Sequence, residues 1–179
     1  KTALSDIEGE VRLYPHKKSY SDFVNKVVLD VRLPKARVST NDLNAFYNGF
    51  GRDKTIELED VKMLGTLNNF DIPQGVISYQ NTVIDGVFSF KNLLDKHQPI
   101  IITATDMYAE SIYNDLATLM PVEIGQNLPQ QIEGLGMFSI DGDFTYNTTG
   151  LKANITLNTT DGEAHIDGEM DNLQNTAET

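Results

Sequence analysis

The stretch Phe138-Ser139-Ile140-Asp141-Gly142-Asp143-Phe144-Thr145-Tyr146 alternates apolar residues or glycine with acids and hydroxyl residues. Consecutive side chains of a β-strand point to opposite faces, so this segment predicts a strand that is apolar on one face and polar on the other. The alternation resumes over residues 151–158 and, after the Asp161-Gly162 hairpin signal, over 164–171. We therefore predict an antiparallel meander with a single apolar face.

Strand patterns also fill most of the chain before this meander. Two irregularities are expected, because Pro34 cannot donate to a ladder and because the alternation changes phase at Glu59-Asp60, as a β-bulge would cause. Two short helices are predicted at 40–49 and 111–120, to lie at an end or a seam of the sheet, and a polar loop at 122–131. The predicted strands are 7–14, 27–38, 55–67, 71–78, 83–93 and 99–107.

The two halves of the chain share landmarks in the same order. Asn41-Asp42-Leu43 recurs as Asn114-Asp115-Leu116, and Ile84-Asp85-Gly86 recurs as Ile166-Asp167-Gly168. This predicts an internal repeat, over about 40–93 and 113–173, of a module with a short helix and about four strands. Such modules stack into elongated arrays. We interpret residues 1–179 as a single segment of a longer protein, since the sequence begins at Lys1 without a signal-like apolar region.

The composition excludes several classes of function. Asp and Glu outnumber Lys and Arg by 26 to 14, and the formal charge of −12 disfavours nucleic acid and anionic membrane surfaces as partners. The absence of cysteine excludes disulfides and thiolate metal sites. No apolar run approaches the roughly 20 residues of a membrane helix.

No motif indicates catalysis or metal binding. His16, His97 and His165 are isolated in the sequence, and the acid-and-glycine turns fit the solvated face of a strand better than a calcium loop. Carboxylates are abundant enough for a glycosidase pair, but the chain has no Trp for sugar stacking. We predict no enzyme activity, no catalytic residue, no metal and no cofactor.

The apolar face leaves two interpretations open. In most amphipathic sheets such a face is an ordinary core packed against other protein. Alternatively, the strands form an open trough in which acyl chains occupy the apolar face. Glycines recur within the apolar row at Gly65, Gly86, Gly142 and Gly168, where a sheet curls sharply or where something else must fit.

These features together resemble a known family. The features that carry this resemblance are the helix starts at 40–43 and 113–116, the helix stop Leu119-Met120-Pro121, a glycine-rich strand entry at 132–136, and strands of the Ile-Asp-Gly type that end in Asn-Leu. With these features the sequence resembles the TamB proteins of the AsmA-like superfamily. The resemblance covers nearly all of the chain, through loose motifs. It implies a mostly β fold: an elongated, incompletely closed, curled antiparallel sheet (β-taco) with a hydrophobic interior groove, joined here by two short helices.

The resemblance also implies a function and a location. TamB-like proteins are anchored in the inner membrane, cross the periplasm, are implicated in phospholipid transport to the outer membrane, and work with an Omp85-type outer-membrane barrel. We therefore expect a periplasmic bridge segment that binds phospholipid acyl chains. At a spacing of about 4.8 Å, ten strands would line about 45 Å of trough, each with two or three inward apolar residues. The predicted groove residues are Phe88, Phe90, Phe138, Ile140, Phe144, Ile155, Leu157, Ile166 and Met170.

Two other functions stay open. The segment could serve as a scaffold or chaperone whose sheet edge pairs with nascent strands of outer-membrane barrels. It could also be a closed β-sandwich adhesin or sugar-binding module, in which the same apolar residues form a plain core. The sequence leaves the lipid and the direction of its movement open.

Overall fold

The computed structural model describes residues 4–16, 19–44, 51–95, 97–119 and 130–171. These residues form one nine-stranded sheet with three short α-helices. The helices are α1 (Phe23–Lys26), α2 (Thr40–Leu43) and α3 (Tyr113–Leu119). The strands are β1 (Asp6–Tyr14), β2 (Val28–Ser39), β3 (Thr55–Gly65), β4 (Phe70–Tyr79), β5 (Thr82–Lys91), β6 (Ile101–Ile112), β7 (Met137–Asn147), β8 (Gly150–Thr159) and β9 (Gly162–Asp171).

Each strand pairs antiparallel with its neighbour in the sequence, so the sheet order is β1 to β9 without a crossover. The first and last strands do not pair with each other, and the sheet is therefore not closed into a barrel. The predicted fold, a mostly β, incompletely closed antiparallel sheet, is confirmed.

All nine predicted strands are present, and the bulge at Glu59-Asp60 is confirmed by a register shift between β3 and β4. Several details of the prediction were wrong. Strand β6 continues to Ile112, so residues 108–112 are strand and the second helix begins only at Tyr113. A third α-helix, α1, follows β1, and 3₁₀ turns occupy Ser19–Asp22 and Gln130–Leu135, the latter where a strand entry was expected.

The sheet is also shorter, across its strands, than the sequence predicts. Nine strands give eight spacings, or about 38 Å of sheet instead of about 45 Å. The second half of the predicted 40–49 helix and most of the predicted 122–131 loop lie outside the described residues.

The strands share irregularities near their middles. A register shift separates Glu8 from Glu10 where β1 meets β2, and comparable shifts interrupt the β3–β4, β4–β5, β5–β6 and β6–β7 ladders. A bulge bends its strand and increases the local twist. These shifts lie at neighbouring positions of successive strands, so the bends align as a crease across the sheet from β1 to β7; the β7–β8 and β8–β9 ladders are regular.

Glycine makes the crease geometrically possible. Gly86 has a φ of +153°, and a Cβ there would lie 3.0 Å from the Cα of Met107 on the next strand. Gly142 has a φ of +135°, and a Cβ there would lie 2.9 Å from the Cα of Ile155. The sequence signal of glycines within the apolar row was therefore informative at these two positions, where the sheet curls.

Helices α2 and α3 attach at one end of the strands, whereas α1, which precedes β2, lies at the other end. Helix α2 follows β2, and its N-terminus is capped by the Ser39 side chain, which accepts a hydrogen bond from the Asn41 N–H. Helix α3 follows β6, and its buried Asp115 carboxylate accepts hydrogen bonds of 3.0 Å from both the backbone N–H and the Nδ2 of Asn81, in the β4–β5 turn. This pair of bonds holds α3 beside the start of β5.

Candidate apolar groove

The inner face of the sheet, defined here as the face that carries the apolar alternation, forms rows that cross strands β4 to β9. Register partners place one apolar or small residue after another along each row. One row is Ile72, Phe88, Ala104, Phe144, Ala153 and Gly168, and a second is Ile77, Ile84, Ala109, Ile140, Leu157 and Ala164. The inner face is therefore continuous over six strands.

All nine predicted groove residues occupy inner-face positions of β5, β7, β8 and β9. Phe88 and Phe90 lie on β5, and the phases of β7, β8 and β9 bring the others onto the same face. For Met170 this placement rests on its backbone register with Leu151. Whether these residues bind lipid stays a prediction.

The inner face is packed in the middle of the sheet. Ile84, Phe88, Ala104, Met107 and Ala109 form a buried cluster. Of the other predicted groove residues, Phe90, Ile140 and Phe144 pack against this cluster, and Phe138 is only 2% exposed. Phe90 also stacks on Phe70, with ring centroids 4.7 Å apart. Side chains of the protein itself therefore fill this part of the face, as the plain-core interpretation predicts.

Towards β9 the inner face opens. Ile155 and Leu157 on β8 are only partly buried, and Ile166 on β9 is 43% exposed. The opposite edge is open too, since Val11 on β1 is 58% exposed and Ile7 and Leu13 are about half exposed. An apolar row that stays exposed over adjacent strands is unusual for a sheet with a closed core.

The position of α3 explains part of this gradient. Leu119 packs against the buried cluster, so α3 covers the inner face near β5 and β6. Among the described residues, no helix follows β7 or β8, and β9 has a neighbour on one side only. The residues of β8 and β9 thus repeat the apolar pattern of β5 without its cover.

Sequence reasoning missed two polar residues of the inner face. Thr82 and Ser111 are fully buried and share a hydrogen bond of 2.6 Å between their hydroxyl oxygens. The bond joins the start of β5 to the end of β6, beside α3. The sequence predicts Ser111 in the second helix, which is wrong because Ser111 lies in β6. The alternation of Met107, Ala109 and Ser111 is the signal that indicates its position on the inner face of the strand.

The outer face of the sheet is largely polar, and Tyr108 lies on it. On β6 the Tyr108 hydroxyl donates a hydrogen bond of 3.0 Å to Glu110. This bond, together with desolvation and the negative charges of Glu110 and Asp141, raises the pKa of Tyr108 above its ordinary value of 10.0. Such an effect is local to the outer face and does not reach the apolar rows.

The described residues form neither a metal-ligand cluster nor a membrane-spanning helix. Within the described ranges, no three His, Asp or Glu side chains are placed together as ligands for a metal ion. The helices of this part of the chain are also too short or too polar to span a membrane.

Comparison with known proteins gives the chain no family. No protein-family model matches it, and neither curated proteins nor solved structures give a significant match. The likeness to TamB proteins accordingly stays a prediction from the sequence.

Proposed function

We propose that this chain is a segment of a lipid-handling trough, which holds acyl chains against the inner face of β8 and β9. The single observation that carries the proposal is the gradient of exposure along one continuous apolar face. The face is buried at Ile84 and Phe88, partly buried at Ile155, and 43% exposed at Ile166. The exposed part of such a face is where an apolar ligand gains most from contact.

The free energy gained by burying an acyl chain on this face is compatible with reversible binding. Each methylene removed from water contributes about 0.8 kcal/mol, so a few carbons against Ile155, Leu157 and Ile166 give a useful but modest affinity. A row of similar side chains offers several nearly equivalent positions, which allows a chain to slide. The groove needs no catalytic group for this role, and we propose that the protein is not an enzyme.

The net charge of the protein indicates which class of phospholipid it would bind. With a formal charge of −12, the surface repels anionic headgroups, so a zwitterionic phospholipid fits better than an anionic one. The headgroup would stay in water while the acyl chain lies on the inner face.

The cellular setting of the proposal rests on the sequence resemblance alone. A TamB-like segment would lie in the periplasm, within a longer protein anchored in the inner membrane. It would serve phospholipid transport and outer-membrane biogenesis, with an Omp85-type barrel as a partner of the full-length protein. The packed cluster around Phe88 narrows the proposal, because the lipid site then lies on β8 and β9 instead of along the whole trough.

Native mass spectrometry of the protein after mild detergent treatment, with lipid extraction as a check, tests this function. We expect co-purified phospholipid on the wild type and its loss on Ile155→Asp. The matched control is Thr156→Asp, because Thr156 is the next residue of β8 and lies on the outer face. Phe144→Asp is a poorer test, since Phe144 packs against the buried cluster and its loss would unfold the protein as well.

Two results would contradict the proposal. One is a folded wild type that carries no phospholipid and takes up none from zwitterionic vesicles. The other is an equal loss of lipid from Ile155→Asp and Thr156→Asp, which would place binding outside the inner face.

A further inference from the structure

We propose that α3 is a lid over the apolar groove, which opens so that an acyl chain extends from β8 and β9 onto the inner face of β5 and β6. The lid rests on the proposed lipid function, since it regulates access to the same groove. Through Leu119, α3 occupies the face of β5 and β6 in the way that an acyl chain would occupy the exposed face of β8 and β9.

Two leucines make the apolar contact between α3 and the groove. Leu116 is 5% exposed, and Leu119, the last residue of the helix, packs against the buried cluster. That cluster includes two small residues of β6, Ala104 and Ala109, which are 0% and 4% exposed. A leucine side chain is a branched alkyl group, so methylenes of an acyl chain could replace its contacts with this face.

The C-terminal end of α3 lies near the segment that leads into β3. A Cβ on Gly51 would lie 3.8 Å from the carbonyl oxygen of Thr118. Strands β3 and β6 are three positions apart in the sheet, or about 14 Å, whereas the seven residues of α3 span about 10 Å. The helix therefore leaves β6 and crosses the groove towards β3.

A hydrogen-bonded clip, formed by Asp115 and Asn81, holds the first turn of α3 to the β4–β5 turn. The buried Oδ2 atom of Asp115 accepts bonds of 3.0 Å from the backbone N–H and from the Nδ2 of Asn81. The helix begins at Tyr113, directly after Ile112, the last residue of β6. Once the clip opens, rotation about this junction would lift Leu119 from the cluster.

The other helix of the internal repeat has an equivalent contact. Asp42 of α2 occupies the same position as Asp115 in the shared Asn-Asp-Leu motif, and it accepts a hydrogen bond from the Ser5 hydroxyl. Ser5 directly precedes β1, as Asn81 directly precedes β5. The aspartate of the motif thus fastens a helix to the start of a strand in both halves of the chain.

The length of α3 makes it dependent on these contacts. A helix of seven residues is unstable in isolation, so α3 is held by the clip and by the packing of its two leucines. A short segment held in this way opens at a lower free energy than the paired strands beneath it. An acyl chain that enters the groove competes with the leucines for the same face.

Amide hydrogen exchange of the full chain tests the lid without lipid. We expect the hydrogen-bonded amides of α3 to exchange through a local opening that leaves β5 and β6 protected. Asp115→Ala should make this exchange at least about tenfold faster, because it removes both bonds of the clip. Asn81→Ala removes only the Nδ2 donor and should give a smaller increase. Asn81 is exposed, so the second variant keeps the test decisive if the first does not fold.

Asp42→Ala is the matched control, because it removes the equivalent contact of α2. It should speed exchange in α2 and leave α3 unchanged. Exchange of α3 only together with β6, in the wild type and in the clip variants, would overturn the lid.

A zwitterionic phospholipid with a photoreactive group at the end of one acyl chain separates the lid from the lipid function. We expect adducts on β8 and β9 in the wild type and in Asp115→Ala, and several-fold more adducts on β5 and β6 in the variant. Adducts on β8 and β9 with no increase on β5 and β6 would overturn the lid and leave the proposed function unaffected. No adducts on any of these strands would contradict the proposed function and, with it, the role of α3 as a lipid lid.

Discussion

Strands β5 and β9 carry the same three residues in two different environments. Ile84-Asp85-Gly86 and Ile166-Asp167-Gly168 both place isoleucine and glycine on the inner face. Yet Ile84 is 8% exposed and Ile166 is 43% exposed. Local sequence therefore decides which face a residue occupies, and the neighbouring strands and helices decide whether that face is covered.

The two isoleucines differ in exposure because the inner face is covered at β5 and not at β9. Strand β5 has neighbours on both sides, and α3 presses Leu119 onto the cluster to which Ile84 belongs. Strand β9 has one neighbour and no helix over it among the described residues. The described residues thus combine a packed region around β5 and β6, which stabilises the fold, with a more exposed apolar region at β8 and β9.

Replacing each isoleucine with alanine should give the largest contrast between the two strands. We expect Ile84→Ala to lower the free energy of unfolding by about 2–4 kcal/mol, because it leaves a cavity in the cluster. Ile166→Ala should cost less than about 1 kcal/mol, since its side chain is already partly in water. Urea denaturation measures both, and equal losses would mean that β9 is covered in solution.

The glycines of the two motifs sharpen the comparison. Gly86→Ala should cost about 2 kcal/mol or more, because a Cβ at a φ of +153° is strained and would lie 3.0 Å from the Met107 Cα. Gly168→Ala should stay within about 0.5 kcal/mol, since a Cβ there meets nothing within 4 Å. Thermal unfolding of the two variants tests this. A large loss from Gly168→Ala would show that the crease constrains β9 as tightly as β5.

The smallest expected effect is a pH dependence of stability that arises from Tyr108 on the outer face of β6. The raised pKa of Tyr108 means that the neutral phenol is favoured in the folded state. Its contribution to stability is thus complete below pH 10.0 and is lost as the pH rises through the higher folded pKa. Glu110→Gln should lower this pKa towards the ordinary value, as followed by NMR of the Tyr108 ring. An unchanged pKa would contradict the role of the hydrogen bond.

Much of the fold could be predicted from the sequence because strand alternation is a local signal. The nine strands, the bulge at Glu59-Asp60 and the inner-face positions of the groove residues all follow from it. The ends of strands and the short helices were harder to predict. Sequence reasoning missed α1, and it missed the end of β6 at Ile112 because Ser111 and Ile112 fit a helical spacing as well as a strand.

The exposure gradient could not be predicted, because it depends on contacts between distant residues. The three-residue motif is the same at Ile84 and Ile166, so the motif itself does not indicate which isoleucine is exposed. The cover comes from Leu119, 35 positions after Ile84 in the printed sequence, and from the number of neighbouring strands.

The most direct test of the central claim is site-specific photo-crosslinking to phospholipid. A photoreactive side chain would be placed at Ile155, at Ile166 and, as the outer-face control, at Thr156, and the protein would be irradiated with zwitterionic lipid. We predict lipid adducts at positions 155 and 166 and none at 156. Adducts at all three positions, or at none, would contradict an acyl-binding inner face on β8 and β9.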